Sequence, residues 1–182
     1  MDFVAVFQFL VESFRRENID FALIGGFALQ AAGLSRTTKD VDLLILSENT
    51  FRIKQIMSAH KYELLHESPD VLNFTSADPD LGRVDFLLAH RKYTLAMLKR
   101  AVDKEIFGGR FKIKVLKTED LIGLKVQASS NDSKRWPQDM ADIEALLRLH
   151  SGSLDEAVLK EYFDLFGRGK ELEDLLKRTK DA

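Results

Sequence analysis

Apolar residues recur at helical spacing over residues 3–17, where Phe3, Phe7, Leu10, Val11 and Phe14 fall on one face. Glu12, Arg15 and Arg16 fall elsewhere, so the stretch predicts an amphipathic helix ending near Asn18. Short apolar runs then predict strands at 21–24 and 40–46, separated by Gly25-Gly26, a short helix from Phe27 to Ala32 capped by Gly33, and a polar loop. Ser47 reads as the N-cap of a helix reaching about His60. Residues 62–65 and 71–75 read as strands around Ser68-Pro69-Asp70, and a further strand runs from Gly82 or Arg83 to Leu88. Residues 91–103 then read as helix, and 105–107 with 110–115 as a hairpin across Gly108-Gly109. Helices follow at 118–129, from Pro137 to Leu149, at 153–166 and at 169–180. The expectation is an α+β core over residues 1–116, with a helical C-terminal region over 117–182 packed on it.

Composition narrows this only modestly. A chain of 182 residues with 45% hydrophobic positions can bury a proper core, and 31% charged residues favour solubility. A net charge of −2 argues against a surface coated for nucleic acid, though not against a local basic patch. Without cysteine, disulfides and thiolate metal sites are excluded. No apolar run approaches the roughly 20 residues of a membrane span, and the N-terminus does not read as a signal peptide. No membrane association and a cytoplasmic location are therefore expected.

The chemistry lies where the apolar pattern is broken. Asp40 and Asp42 flank Val41 at the mouth of Leu43-Leu44-Ile45-Leu46, and strand residues two apart share a face. Two carboxylates pointing the same way beside an apolar run require a cation. Asp85 repeats the anomaly inside Val84-Asp85-Phe86-Leu87-Leu88, where Val84, Phe86 and Leu88 can share one face and leave Asp85 on the other. If the two strands are neighbours, three hard oxygen donors converge, a set suited to Mg²⁺ or Mn²⁺ and to substrate phosphates. Asp85 is then the natural acceptor of a proton from an attacking hydroxyl. The plainer alternative is a salt-bridged strand start with Arg36 or Lys39 as counter-ion. One aspartate fits it well; two on one face fit it less well.

Gly25-Gly26 between strand and helix lets backbone amides approach a phosphate without a side chain in the way, or simply makes a tight turn. Arg36, Thr37 and Thr38 precede the acids and can touch phosphate or pair with a carboxylate. Lys125 lies among Leu121, Ile122, Leu124 and Val126, from which it either snorkels to the surface or reaches a triphosphate. Asp139 and Asp142 share a helix face; Asp139 reads as structural, and Asp142 is open between structure and function. His60, His66, His90 and His150 lack zinc-ligand spacing. Trp136, beside Lys134 and Arg135, reads as a packing anchor more readily than as a base-stacking platform.

Gly25-Gly26, Asp40-Val-Asp42 and Asp85 together resemble the signature of the nucleotidyltransferase superfamily with the polymerase-β-like palm fold. The longer string Arg36-Thr-Thr38-Lys-Asp40-Val-Asp42 is similar to the branch holding the AbiEii-type abortive-infection toxins. Lys125 in its helix, then Arg135 and Asp139-Met-Ala-Asp142, resemble a lysine helix and an R…D-x-x-D helix of that branch. The resemblance implies Asp40, Asp42 and Asp85 as metal ligands and catalytic acids, and Lys125 as catalytic and phosphate-binding. It implies Gly25, Gly26, Arg36, Thr37, Thr38 and Asp142 at the nucleotide. The implied reaction moves a nucleoside monophosphate from a nucleoside triphosphate to a hydroxyl or phosphate acceptor, with Mg²⁺ (or Mn²⁺) and release of pyrophosphate. The implied acceptor is tRNA or a protein, and an antitoxin is the implied partner. A small-molecule nucleotidyltransferase of the antibiotic-modifying kind is the alternative, mildly favoured by the near-neutral charge, while Arg110, Lys112, Lys114 and Lys117 offer RNA a basic strand edge. A non-catalytic nucleotide- or partner-binding module on the same fold is the third reading, and the three acids stand against it.

Overall fold

The computed structural model describes residues 1–180; the last two positions of the expected 117–182 region lie outside the described residues. The chain forms two compact units, one of residues 1–31 with 35–116 and the other of 32–34 with 117–182.

The first unit is built on a seven-stranded mixed sheet: β1 (Phe21–Leu23), β2 (Asp40–Leu46), β3 (Glu63–Glu67), β4 (Val71–Thr75), β5 (Arg83–Ala89), β6 (Val102–Ile106) and β7 (Phe111–Val115), in the order β3-β4-β5-β2-β1-β7-β6. β2 is central, antiparallel to β1 and parallel to β5. Helix α1 (Phe3–Arg16) is capped by Asp2, whose side chain accepts from the Ala5 amide at 3.1 Å. Its apolar stripe is fully buried at Val6, Phe7, Leu10 and Phe14. Phe14 stands 6.2 Å from Phe86 of β5 between ring centroids, so α1 covers the sheet face that carries Phe86. Phe7 meets Phe27 of α2 (Gly25–Ala31) edge-on at 5.2 Å. Each such side chain contributes about 1.5–3 kcal/mol on burial. α3 (Thr50–Ala59) lies against β3, and α4 (Lys92–Arg100) against β2 and β5.

Three local expectations are corrected. Ser47 is not a helix N-cap: Ser47–Asn49 is a single 3-10 turn, and the Thr50 hydroxyl donates to the Ser47 carbonyl at 2.7 Å as α3 begins. α2 begins at Gly25 rather than at Phe27, although Gly25 itself keeps the left-handed φ of +61° of a turn. β6 starts at Val102, inside the expected helix, because pairing with β7 sets Asp103 opposite Lys114 and Glu105 opposite Lys112. Opposite charges across an antiparallel pair favour the strand over one more helical turn.

The second unit is helical: α5 (Thr118–Asn131), α6 (Trp136–Leu149), α7 (Glu156–Asp164) and α8 (Gly169–Lys180). Gly123 lets α5 and α7 approach closely, since a Cβ there would lie 2.6 Å from the Tyr162 ring. Tyr162 in turn donates to the fully buried Asp120 carboxylate at 2.6 Å. Arg168 donates to the Val126 carbonyl and the Ser129 hydroxyl and stacks 4.4 Å over Trp136, so Trp136 is a packing anchor in this unit. Among the described residues no helix is long and apolar enough to cross a membrane.

Candidate active site

Strand register decides whether the three acids meet. β2 and β5 pair in parallel with Asp42 opposite Asp85 and Asp40 opposite Arg83. Asp40 and Asp42 are two apart, as are Arg83 and Asp85, so all four side chains leave the same face of the sheet. Val41, Val84 and Phe86 leave the other and are at most 1% exposed. The alternation thus keeps an unbroken apolar face beside a charged one.

Asp42 lies against the start of α2. Gly25 has φ +61°, and a Cβ there would fall 2.0 Å from Asp42 Oδ2. Any larger residue at 25 is excluded both by the left-handed backbone and by this approach. At Gly26 a Cβ would fall 2.4 Å from the Thr38 Cβ. Thr38 also donates to the Asp40 carbonyl at 3.0 Å, fixing the loop between α2 and β2. Arg36 lends its backbone carbonyl to Gln30, and Thr37 is exposed.

Arg83 puts a cation on this face. Its Nε donates to Asp85 Oδ1 at 2.9 Å, and the Asn73 amide, opposite Asp85 on β4, donates to the same oxygen at 2.7 Å. Arg83 is held more firmly protonated than usual, first by this bond and further by the charges of Asp85, Asp40 and Asp42. Asp40 carries a raised pKa, first through burial and then through repulsion from Asp85, with Arg83 and Lys39 opposing. Lys39 therefore acts on Asp40, as its sequence position suggests, but less strongly than Arg83. Neither Arg83 nor Asn73 is among the residues singled out from sequence. Arg83 was legible from its i−2 relation to Asp85; Asn73 needed the β4–β5 register.

The donor set suits a hard divalent ion, since it is three carboxylates on one face of the sheet. As the side chains stand, no three His, Asp or Glu groups among the described residues are gathered tightly enough to hold a metal. Asp85 is turned to Arg83 instead.

The second unit holds a separate charged cluster. Lys125 Nζ lies 3.0 Å from Asp139 Oδ1 and 2.7 Å from Asp142 Oδ2, and Arg135 Nε lies 3.1 Å from Asp139 Oδ2. The acid side chains are 3% and 6% exposed and that of Lys125 14%, so the ammonium is held inside the cluster by two buried carboxylates.

Of the histidines, His60 stacks on Phe9, His90 meets Asp70, and His150 is bonded to the Ala32 carbonyl. The basic strand edge is not bare. Lys112 and Lys114 face Glu105 and Asp103 across the ladder, and Lys114 pairs with Asp20 at 2.6 Å.

A family model for the "Nucleotidyl transferase AbiEii toxin, Type IV TA system" matches residues 83–182, more than half of the chain. The match includes Arg83, Asp85, Lys125 and Asp142 and begins after the Gly25-Gly26 and Asp40-Val-Asp42 segments. Among solved structures, the antibiotic-resistance factor ANT(2'')-Ia superposes with a TM-score of 0.65 at 18% identity, covering 96% of this chain and 97% of that one. The lincosamide antibiotic adenylyltransferase LnuA, bound to lincomycin, gives 0.54 at 15% identity over 78% of this chain and 94% of its own. An antigenic nucleotidyltransferase-like protein from Paracoccidioides brasiliensis gives 0.56 at 19% identity, over 92% and 88%. At these identities the likeness is one of fold: a nucleotidyltransferase fold. No curated protein matches the chain in sequence.

Proposed function

The chain belongs to the AbiEii nucleotidyl transferase toxin family, and from that premise we propose that it moves a nucleoside monophosphate from a nucleoside triphosphate to a hydroxyl or phosphate acceptor, releasing pyrophosphate. The observation that carries this is the shared face of Asp40, Asp42 and Asp85, with Asp42 packed against Gly25 at the start of α2. Asp40, Asp42 and Asp85 would hold Mg²⁺ or Mn²⁺. A divalent ion there supplies charge neutralisation on the phosphates and a lowered pKa for the attacking hydroxyl. Gly25 and Gly26, packed against Asp42 and Thr38, are assigned to the nucleotide phosphates through their backbone amides, with Arg36, Thr37 and Thr38 on the loop leading into β2. Asp85 takes the proton of the acceptor hydroxyl. Its Oδ1 is engaged by Asn73 and Arg83, which leaves Oδ2 for that task. Lys125 is assigned to the triphosphate and Asp142 to its support, the ammonium being held between the carboxylates of Asp139 and Asp142.

In keeping with the family's toxin–antitoxin description, the first reading of the acceptor is tRNA or a protein, with an antitoxin as restraining partner in the cytoplasm. The pairing of Lys112 and Lys114 with acids favours a second reading, a small-molecule acceptor, because RNA binding wants unpaired positive charge. ANT(2'')-Ia has been solved with adenylyl-2''-tobramycin, and LnuA with lincomycin. Incubation with each α-labelled triphosphate and Mg²⁺, offering total tRNA in one arm and aminoglycosides and lincosamides in the other, tests both. Label transferred by the wild type and lost in Asp42→Asn is the expected result. Equal labelling by both proteins contradicts the assignment.

A further inference from the structure

Resting on the reading of Asp40, Asp42 and Asp85 as a metal site, we propose that Arg83 is the resident counter-ion of this face. It occupies Asp85 until a divalent ion and a triphosphate arrive together, and so couples the binding of one to the other. Three observations lead there. Arg83 leaves the sheet on the same face as the acids, opposite Asp40 in the ladder and two residues before Asp85. Its Nε contacts Asp85 Oδ1 at 2.9 Å, so a metal approaching that oxygen meets a guanidinium already in place. Its side chain is 42% exposed, against 20% for Asp85, so the guanidinium has room to turn outward without unpacking the sheet.

The charges give the consequence. Three carboxylates on one face attract a divalent ion, but Arg83 already holds Asp85, one of its ligands. A free metal ion must displace Arg83 from Asp85 and endure its repulsion. A metal accompanied by a triphosphate offers the guanidinium phosphate oxygens in exchange, and a planar fork of N–H donors suits them well. The displaced cation then stays in use. Mn²⁺ alone therefore binds weakly, and nucleotide raises its affinity by more than charge neutralisation at the three acids explains.

Mn²⁺ affinity measured by electron paramagnetic resonance, with and without an α,β-methylene nucleoside triphosphate, tests this on the full chain. Circular dichroism serves as the check on folding. Arg83→Gln is expected to bind Mn²⁺ alone at least about tenfold more tightly than the wild type, because the divalent ion no longer meets a fixed positive charge beside its ligand. It is also expected to show a smaller gain from nucleotide. Arg83→Lys, which keeps the charge, stays near wild type. Asn73→Ala removes the other donor to the same oxygen without changing charge, and it should not tighten Mn²⁺ binding. Unchanged or weaker Mn²⁺ binding by Arg83→Gln overturns the proposal, as does equal tightening by Asn73→Ala. If Asp42→Asn still weakens Mn²⁺ binding in that case, only the role of Arg83 falls. If Asp42→Asn binds Mn²⁺ as the wild type does, the metal-site reading falls with it.

Discussion

Two clusters of charge sit in otherwise apolar stretches of this protein, and they are built on opposite plans. In the helical unit, Asp139 and Asp142 are almost wholly buried and meet two cations, Lys125 and Arg135. In the sheet unit, Asp40, Asp42 and Asp85 are only partly buried, and Arg83, itself 42% exposed, pairs with Asp85. A balanced, buried cluster is internally complete, and removing one partner strands a charge in low dielectric. An unbalanced, half-open cluster keeps unsatisfied demand facing solvent, which is the mark of a site for a ligand. The raised pKa of Asp40, through burial and the charge of Asp85, expresses that demand. Identical residue types thus serve two ends, and charge balance with exposure separates them.

The sharpest break of this contrast is functional. Asp85→Asn keeps the shape of the sheet but removes a ligand and the proton acceptor. Nucleotide transfer should fall by more than the roughly 10–100-fold typical of losing an outer-shell partner, while the melting temperature holds. The check is a transfer assay run beside a thermal melt, and transfer retained within twofold would remove Asp85 from the site.

Next comes Lys125→Ala, which should behave in the opposite way at the level of stability. It leaves two buried carboxylates without their ammonium, a loss on the order of 3–5 kcal/mol, read by denaturant unfolding. The triple variant Lys125→Met, Asp139→Asn, Asp142→Asn removes every buried charge of the cluster, leaves only the largely exposed Arg135, and should recover most of that stability. Transfer activity that stays low in the stabilised triple variant supports the assignment of Lys125 and Asp142 to the nucleotide. Recovery of activity along with stability makes the cluster purely structural.

Much of this contrast was legible in the sequence, and what was not has a physical reason. Most element positions followed from apolar spacing, because α1 buries one face and exposes the other, while β2 and β5 are apolar runs broken only by their charged positions. The shared face of Asp40 and Asp42 followed from strand alternation alone. The pairing of Asp42 with Asp85 needed β2 and β5 to be neighbours in parallel, a long-range fact that local pattern does not carry. Ser47 misled because a serine before a helical run satisfies the N-cap preference, yet here its carbonyl, rather than its hydroxyl, is bonded at the turn. The start of β6 at Val102 depended on acids opposite Lys112 and Lys114, which only the hairpin register reveals. Lys125 looked like a lone cation because its two carboxylates lie on another helix.

Gly25→Ala probes the open side of the site with a smaller effect. The left-handed backbone costs at least about 1 kcal/mol for a residue with a Cβ, and the methyl would press on Asp42. Chemical denaturation should register that loss, and nucleotide affinity should fall with it. Gly108→Ala, where a Cβ meets nothing within 4 Å although φ is +65°, separates backbone strain from the clash. It should lose comparable stability and keep its nucleotide affinity.

Asp40→Asn gives the smallest effect and carries a sign. Because the folded protein raises the Asp40 pKa above 3.8, protonated Asp40 favours folding below that value. The benefit is lost as pH rises through the folded value, and at neutral pH the charge opposes folding. Removing it should therefore slightly raise the melting temperature of the metal-free protein at pH 7. The gain should shrink toward zero at pH 3, and a gain that grows on acidification would contradict the assigned cause.

The central claim is that the unbalanced face takes the metal and the nucleotide. Anomalous scattering from crystals of the full chain soaked with Mn²⁺ and an α,β-methylene nucleoside triphosphate addresses it most directly. The account predicts a manganese peak about 2.1 Å from carboxylate oxygens of Asp40 and Asp42, the distance usual for small hard divalent ions. It also predicts triphosphate density running toward the start of α2. A manganese peak at Asp139 and Asp142, with Asp40 and Asp42 bare, would contradict it.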